Sequence, residues 1–430
     1  MLDIQKRLTN SFYILLSLPA TAMGFALCVQ IAALSWILNT KYGLNIEEIG
    51  YVWMAGPLAG ILGQPIVGLI SDNVWFWNGR RRPFILIGGT IAALMILALP
   101  NIDVINEALG VDSIVGIALT VALTLDLAIN VSFNPTRSVI ADVTPTGDRR
   151  TKGYTWMQTI SGFFGVLAYL IGAFVSNYHL IYVGAILVFV FSVFPSFFIE
   201  EPRQLETTKD DGNIENRSTN WTAFLKINLA HAFTWLGVQT MFVYTFFYIK
   251  GVIMGYEATD QLSQAENDDI GFTIGIAFAI LNTVGFVLPA TALQPLAERI
   301  GRVRTHMLCI AIMAVGYLLL ALVGNSQISL FILMAIVGIG WAAVVSLPFA
   351  IMSEVVDQSR MGLFMGLFNL SVVIPQLVAS GLGGYIEHYA DKSIIFYISA
   401  GALAISAVLW LLVKENQGVH SPISAKTGAH

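Results

Sequence analysis

Long apolar runs separated by short polar breaks organise this chain from end to end. Segments at about 11–38, 49–71, 83–100, 114–140, 154–175 and 179–199 each supply close to the 20 apolar residues that cross a bilayer core as a helix. Between Glu200 and Asn220 the sequence turns to Glu, Asp, Lys, Arg, Asn and Thr, which neither spans a membrane nor builds a core. Six further runs follow at about 222–249, 270–295, 305–323, 328–351, 362–384 and 393–413. The pattern predicts an all-α membrane protein of twelve helices in two six-helix halves. Residues 1–199 form the first bundle, 200–221 a linker, 222–414 the second bundle and 415–430 a tail. Lys6 and Arg7 before the first run resemble a signal peptide, but the run continues to about Leu38 and reads as an uncleaved first span.

With both termini and the linker on one side, Arg80, Arg81, Arg82, Arg149, Arg150, Lys152, Arg299, Arg302, Arg304 and Arg360 share that side, against Lys41, Lys250 and Lys392 opposite. By the positive-inside rule the arginine-rich side is cytoplasmic, which predicts a multi-pass protein of a plasma or bacterial inner membrane. Composition agrees: 56% hydrophobic and 11% charged is too apolar for a water-soluble fold of 430 residues. A net charge of -5 offers no basic surface for nucleic acid. Cys28 and Cys309 lie inside apolar runs, so neither a disulfide framework nor a cysteine metal site is indicated. Walker loops, paired metal-binding histidines and nucleophile elbows are absent from the sequence, so no enzyme, metal or cofactor is expected. His231, near the start of the seventh span, is assigned no chemistry.

The halves repeat. Gly68, Asp72, Gly79, Arg80 and Arg81 after the second span are answered by Glu298, Arg299, Gly301 and Arg302 after the eighth. Pro135 to Gly153, with Asp142 and Arg149, is answered by Pro348 to Gly362, with Glu354 and Arg360. Charges at helix ends can meet carboxylates or neighbouring helix termini, which makes Gly68, Asp72, Arg80, Arg81, Arg82, Asp142, Arg149, Glu298, Arg299, Arg302, Glu354 and Arg360 a candidate gate at the arginine end. The expected latch joins Asp72 to the start of the eleventh span and Glu298 to the start of the fifth.

The repeat fails at two charges. Aligning Asp142 with Glu354 sets Asp126 opposite Gly338 and Arg137 opposite Phe349, so these charges serve ligand or ion chemistry rather than the fold. Asp126 lies roughly 22 Å from the end of its span at 1.5 Å per residue, where an acid is a functional candidate by default. Asn130, Phe133 and Arg137 continue its helical face. Burial and a nearby cation act on such a carboxyl in opposite senses, which lets it exchange a proton at working pH and also accept sugar hydroxyls. Sugars pair a polar rim with apolar C–H faces, so amides and aromatics within the apolar runs are further candidates: Gln30, Trp53, Gln64, Gln239, Tyr244, Asn282, Asn369 and Gln376.

The run Trp53, Gly56-Pro57, Gly60, Gln64-Pro65, Gly68, Ser71-Asp72 and Gly79-Arg80-Arg81-Arg82-Pro83-Phe84 resembles the second and third spans of the sucrose-transporter family, within the major facilitator superfamily. Asp126, Asn130, Pro135, Arg137 and Asp142, then Gly362, Gly366, Asn369-Leu370 and Ile374-Pro375-Gln376, extend the likeness. The resemblance implies proton-coupled import of a glucoside such as sucrose or maltose by alternating access, with Asp126 and Arg137 matching the family's essential acid and arginine. Tyr244 to Tyr248 departs from the plant pattern, which carries an acidic cluster there. The expectation is a monomeric proton symporter for a neutral α-glucoside (maltose, sucrose or a short maltodextrin), with the proton as coupling ion. Sodium coupling, efflux of an apolar compound, and a non-transporting sugar sensor are the alternatives.

Overall fold

The computed structural model describes residues 3–61, 63, 74–145, 148–203, 219–257, 260–357 and 361–414. Every regular element among them is helical. The spans are α1 (Asn10–Thr40), α2 (Ile46–Trp53, with helix resuming over 55–61), α3 (Arg82–Ala98), α4 (Ile114–Val143), α5 (Asp148–Phe174) and α6 (Asn177–Phe198). Then come α7 (Trp221–Tyr248), α8 (Gln264–Leu288), α9 (Arg302–Val323), α10 (Gln327–Ser346), α11 (Met361–Ser380) and α12 (Ile394–Trp410). Ten helices among the described residues are long and apolar enough to cross a membrane. α12 is the shorter apolar helix, and the run of α2 continues into positions outside the described residues.

Polar residues at the breaks set where helices begin. Thr9, Asn45, Ser113, Ser176, Asn220, Ser263 and Ser326 each accept a backbone N–H of the first turn, satisfying donors that the helix itself leaves free. The pairings then repeat at an offset of six. α1 packs on α5 and α6, as α7 does on α11 and α12; α3 packs on α4 and α6, as α9 does on α10 and α12; α2 lies on α4 as α8 lies on α10. These are two six-helix halves of one design, meeting where α8 packs on α5 and α1 and where α7 packs on α1 and α2.

At the arginine end, Trp77 and Asn78 both take left-handed backbone (φ 49° and 58°) in a two-residue turn closed by Phe76 and Gly79. The Glu201 carboxylate accepts the backbone N–H groups of Arg80, Arg81 and Arg82 at 2.7 to 2.8 Å, an anion seated at the start of α3. Gly79 is the residue this seat allows, because a Cβ there would lie 2.7 Å from Glu201 Oε1.

At the opposite end the halves are stitched together. Ser35 Oγ of α1 donates to the Val243 carbonyl of α7 at 3.1 Å, Trp36 Nε1 of α1 to the Asn267 carbonyl of α8 at 2.9 Å, and Lys250 Nζ after α7 to Asn39 Oδ1 of α1 at 3.3 Å. Gly50 of α2 and Gly383 after α11 let backbones touch there: a Cβ on Gly50 would lie 2.3 Å from the Ser380 carbonyl, and one on Gly383 2.7 Å from that of Ile46.

Candidate functional site

Asp126 sits in the middle of α4 with 4% of its surface exposed. Gln30 Nε2 of α1 donates to its Oδ2 at 2.9 Å, and Gly56 of α2 faces it, a Cβ there lying in ordinary contact at 3.4 Å from the same oxygen. Gly60 and Gly63 continue that glycine row over Asn130, a Cβ on Gly63 reaching 3.2 Å from the Asn130 Cβ. Glycines spaced four and three apart on one helix thus turn bare backbone toward the polar face of α4. Among the described residues Asp126 has no salt-bridge partner. A buried carboxylate without a cation costs several kcal/mol. The charge state of Asp126 is therefore tied to whether water reaches it.

Asn130 Nδ2 donates back to the Asp126 carbonyl at 2.8 Å. Phe133 and Arg137 follow on the same stripe, the Arg137 guanidinium lying 4.0 Å from the Phe133 ring centroid, a distance typical of cation–π contact. The Arg137 carbonyl accepts the Tyr154 hydroxyl of α5. Sequence spacing places acid and arginine on one face, and the structure gives each its own partner: the amide of Gln30 for one, the ring of Phe133 for the other.

Across from α4, Gln376 Nε2 of α11 donates to Gln239 Oε1 of α7 at 3.2 Å, which brings those two predicted amides together. Asn282 Nδ2 of α8 donates to its own Phe278 carbonyl at 2.9 Å and also to the Tyr169 hydroxyl of α5, which in turn meets the Cys28 thiol of α1. Thiol, phenol and amide thus join the halves two residues from Gln30. Asn369 is half-buried, and its side chain has no hydrogen bond among the described residues. Trp53 and Tyr244 belong to the stitched end. The Trp53 indole donates to Ser35 Oγ at 2.8 Å, and the fully buried Tyr244 hydroxyl donates to the Ser380 carbonyl at 2.6 Å. Gln64 lies outside the described residues.

Of the candidate gate, Gly68, Asp72 and Arg360 also lie outside the described residues. Arg81 Nε meets Asp142 Oδ2 at 3.1 Å and Arg302 meets Glu354, so each half pairs an arginine at the start of its third helix with an acid at or just beyond the end of its fourth. Arg80 and Arg82 contribute backbone N–H groups to Glu201. The exposed Glu298 accepts from Gln294 one turn earlier at 3.2 Å. Arg149 is exposed and its carbonyl accepts the Tyr13 hydroxyl, while Arg299 is exposed as well.

Several residues at the centre escaped the sequence reading. Trp235 and Trp341, both half-buried, meet edge to face at 6.2 Å and 83°, and Trp341 also meets Phe242. Gly285 makes room for Trp341, since a Cβ there would lie 2.6 Å from the indole Cδ1. A readable signal existed in the spacing: Trp235 stands four residues before Gln239, on the same helical face.

The family described as MFS/sugar transport protein matches residues 12–386. A sucrose transport protein of Oryza sativa subsp. indica is 24% identical over 99% of this chain and 91% of its own length. A sucrose transport protein of Arabidopsis thaliana is 23% identical over 95% and 91%. The general alpha-glucoside permease of Schizosaccharomyces pombe is 32% identical over 36% of this chain and 31% of its own. Among solved structures, the nucleoside transporter NupG aligns with a TM-score of 0.67 at 14% identity, over 94% of this chain and 99% of that one. The E. coli xylose transporter XylE, in an inward open conformation, gives 0.68 at 14%, over 95% and 97%. The architecture is that of a major facilitator.

Proposed function

Since the chain belongs to the MFS/sugar transport protein family, a group of transporters and not of enzymes, we propose that it is a proton-coupled symporter importing a neutral α-glucoside such as sucrose, maltose or a short maltodextrin. The reading is supported by one observation above others: a carboxyl buried at mid-membrane, bonded by an amide and paired with no cation among the described residues. Asp126 takes a proton when its side chain is wetted from one compartment and yields it when wetted from the other. The Gln30 amide, the Gln239–Gln376 pair and Asn282 offer the rim of hydrogen-bonding groups that sugar hydroxyls need, and the half-buried Trp235 and Trp341 offer apolar faces. Arg137 holds its charge toward the arginine end, where a proton is released.

We place the arginine end and both termini in the cytoplasm of a plasma or bacterial inner membrane, on the positive-inside rule. The stitched end then faces outward, and the carrier stands closed to the outside. On this reading 1–199 and 222–414 are the rocking bundles, 200–221 links them, 415–430 is a cytoplasmic tail, and the unit is a monomer. The Asp72 and Glu298 latch belongs to the opposite state, in which the arginine end is shut.

The test is uptake into proteoliposomes of purified carrier, with a panel of sucrose, maltose, maltotriose and glucose, with and without an imposed pH gradient. Accumulation of a glucoside above equilibrium only when the outside is acidic is the expected result. Uptake driven by a sodium gradient at equal pH, or none for any saccharide, overturns the reading.

A further inference from the structure

His231 is 1% exposed in the lower part of α7, and its ring stacks on Phe368 of α11 at 4.7 Å and 11°. One turn on, the Trp235 indole N–H donates to His231 Nε2 at 2.9 Å. An indole can only donate, so Nε2 must present a lone pair; the ring is then neutral with its proton on Nδ1. That Nδ1 is buried without a partner. It shares the region with the buried His306 of α9, whose ring reaches the Ala343 backbone, and with the buried, unpartnered Trp410 Nε1 of α12. His306 packs on Trp410 at 4.5 Å and lies within electrostatic reach of His231. Among the described residues the tryptophan N–H is thus the partner that Nε2 of His231 has.

We infer that His231 is a positioning residue for the transport site: as its Nδ1–H tautomer it fixes the Trp235 indole edge-on to Trp341, in the orientation that receives the C–H face of a saccharide. The inference rests on the saccharide reading for what Trp235 receives, but not for how the indole is held. Phe368 limits ring tilt of the imidazole, Trp341 limits that of the indole, and the single N–H to N bond sets the angle between them. Protonation of Nε2 is incompatible with this arrangement, because two N–H donors would then face each other.

The experiment combines transport kinetics with a spectroscopic reading. In proteoliposomes, His231→Leu is expected to raise KM for the transported glucoside by about tenfold, the most that one neutral hydrogen bond is worth, with the maximal rate within about twofold. His231→Gln, whose carbonyl can accept the same N–H, should restore KM to near the parent value. Trp235→Phe, which keeps a ring but loses the donor, should match His231→Leu, and the double variant should be no worse than either single one. Effects of the two single variants that multiply in the double overturn the inference. Solid-state nitrogen NMR of histidine-labelled carrier, with His231→Gln identifying the signal, should show His231 protonated on Nδ1 alone. A proton on Nε2 overturns the inference even where His231→Leu fails to fold. Should the parent protein carry no saccharide at all, the functional reading fails, and the NMR result still decides how the indole is held.

Discussion

At the arginine end of the first half, Arg81 pairs with Asp142, their side chains 9% and 10% exposed; at the same place in the second half, Arg302 pairs with Glu354 at 41% and 22%. The design is shared and only its depth differs. Halfway along the same two helices the likeness stops. α4 presents Asp126 to the bare backbone of Gly56 on α2, whereas α10 presents Gly338 to α8, where a Cβ would lie 2.7 Å from Val284 Cβ and 3.1 Å from the Leu281 carbonyl. Each half thus crosses corresponding helices with glycine at the contact, at an ordinary distance beside Asp126 in the first half and tightly at Gly338 and Gly285 in the second. In the second half the crossing holds only apolar side chains and backbone. In the first it holds an acid. Ends kept alike by a common fold and a middle made unlike by one buried acid fit the proposed carrier, in which Asp126 is the coupling group.

The sharpest way to break the comparison is to make the middles alike. Asp126→Asn keeps size and hydrogen bonding but cannot exchange a proton. A pH gradient of two units is worth about 2.7 kcal/mol, enough for about hundredfold accumulation at one proton per sugar. In the variant that ratio should fall to about one, while exchange of labelled for unlabelled sugar across the membrane persists. Undiminished uphill accumulation would falsify the assignment of Asp126.

The next test concerns the ends. Because Arg81 and Asp142 are nearly buried, Asp142→Asn should cost about 2 kcal/mol of stability, whereas Glu354→Gln, at a wetter pair, should cost at most about 1. Thermal unfolding midpoints in detergent decide it, and equal losses would mean that depth does not separate the two pairs. A smaller effect follows at the glycines. Gly338→Ala inserts a methyl into filled space and should cost about 1.5 kcal/mol. Gly56→Ala meets only ordinary contact distances at Asp126, so its stability should hardly change, while its methyl takes space beside the carboxyl that water would use and should slow proton-driven uptake.

Much of this comparison was legible beforehand. Twelve runs each long enough to span fix the helices because a bilayer admits few alternatives, and the misalignment of Asp126 with Gly338 exposed the asymmetric acid without any coordinates. The partners were not legible. Helical periodicity puts Asp126 and Arg137 on one face, but eleven residues separate them by about 16 Å along the axis, so their partners come from elsewhere, here Gln30 of α1 for the acid and the Phe133 ring for the arginine. Tyr244 illustrates the same limit. An aromatic hydroxyl in an apolar helix suits a sugar site as well as a seal, and only the position of the Ser380 carbonyl, supplied by α11, distinguishes them in this state. Glu201 and Ser35 carry no pattern at all, since their roles come from backbone atoms far away in sequence.

The smallest expected effect sharpens the contrast at the stitched end, where bonds within a half and bonds between halves lie side by side. Tyr244 joins α7 to α11, two helices of the same half, and that bond survives any rigid rocking of one half against the other. Ser35 instead joins α1 to α7, and it also accepts the Trp53 indole, so its bond to the Val243 carbonyl exists only while this end is closed. Ser35→Ala should therefore weaken the closed state alone, by about 1 kcal/mol or about fivefold in population. Spin labels at the exposed Glu107 and Asn325, near this end of the two halves, report that population as a distance distribution once Cys28 and Cys309 are replaced. Tyr244→Phe should lower thermal stability and leave the distribution within about twofold of the parent. If instead Tyr244→Phe shifts the distribution and Ser35→Ala does not, the halves do not move as units at this end, and the seam between them runs through α7 rather than beside it.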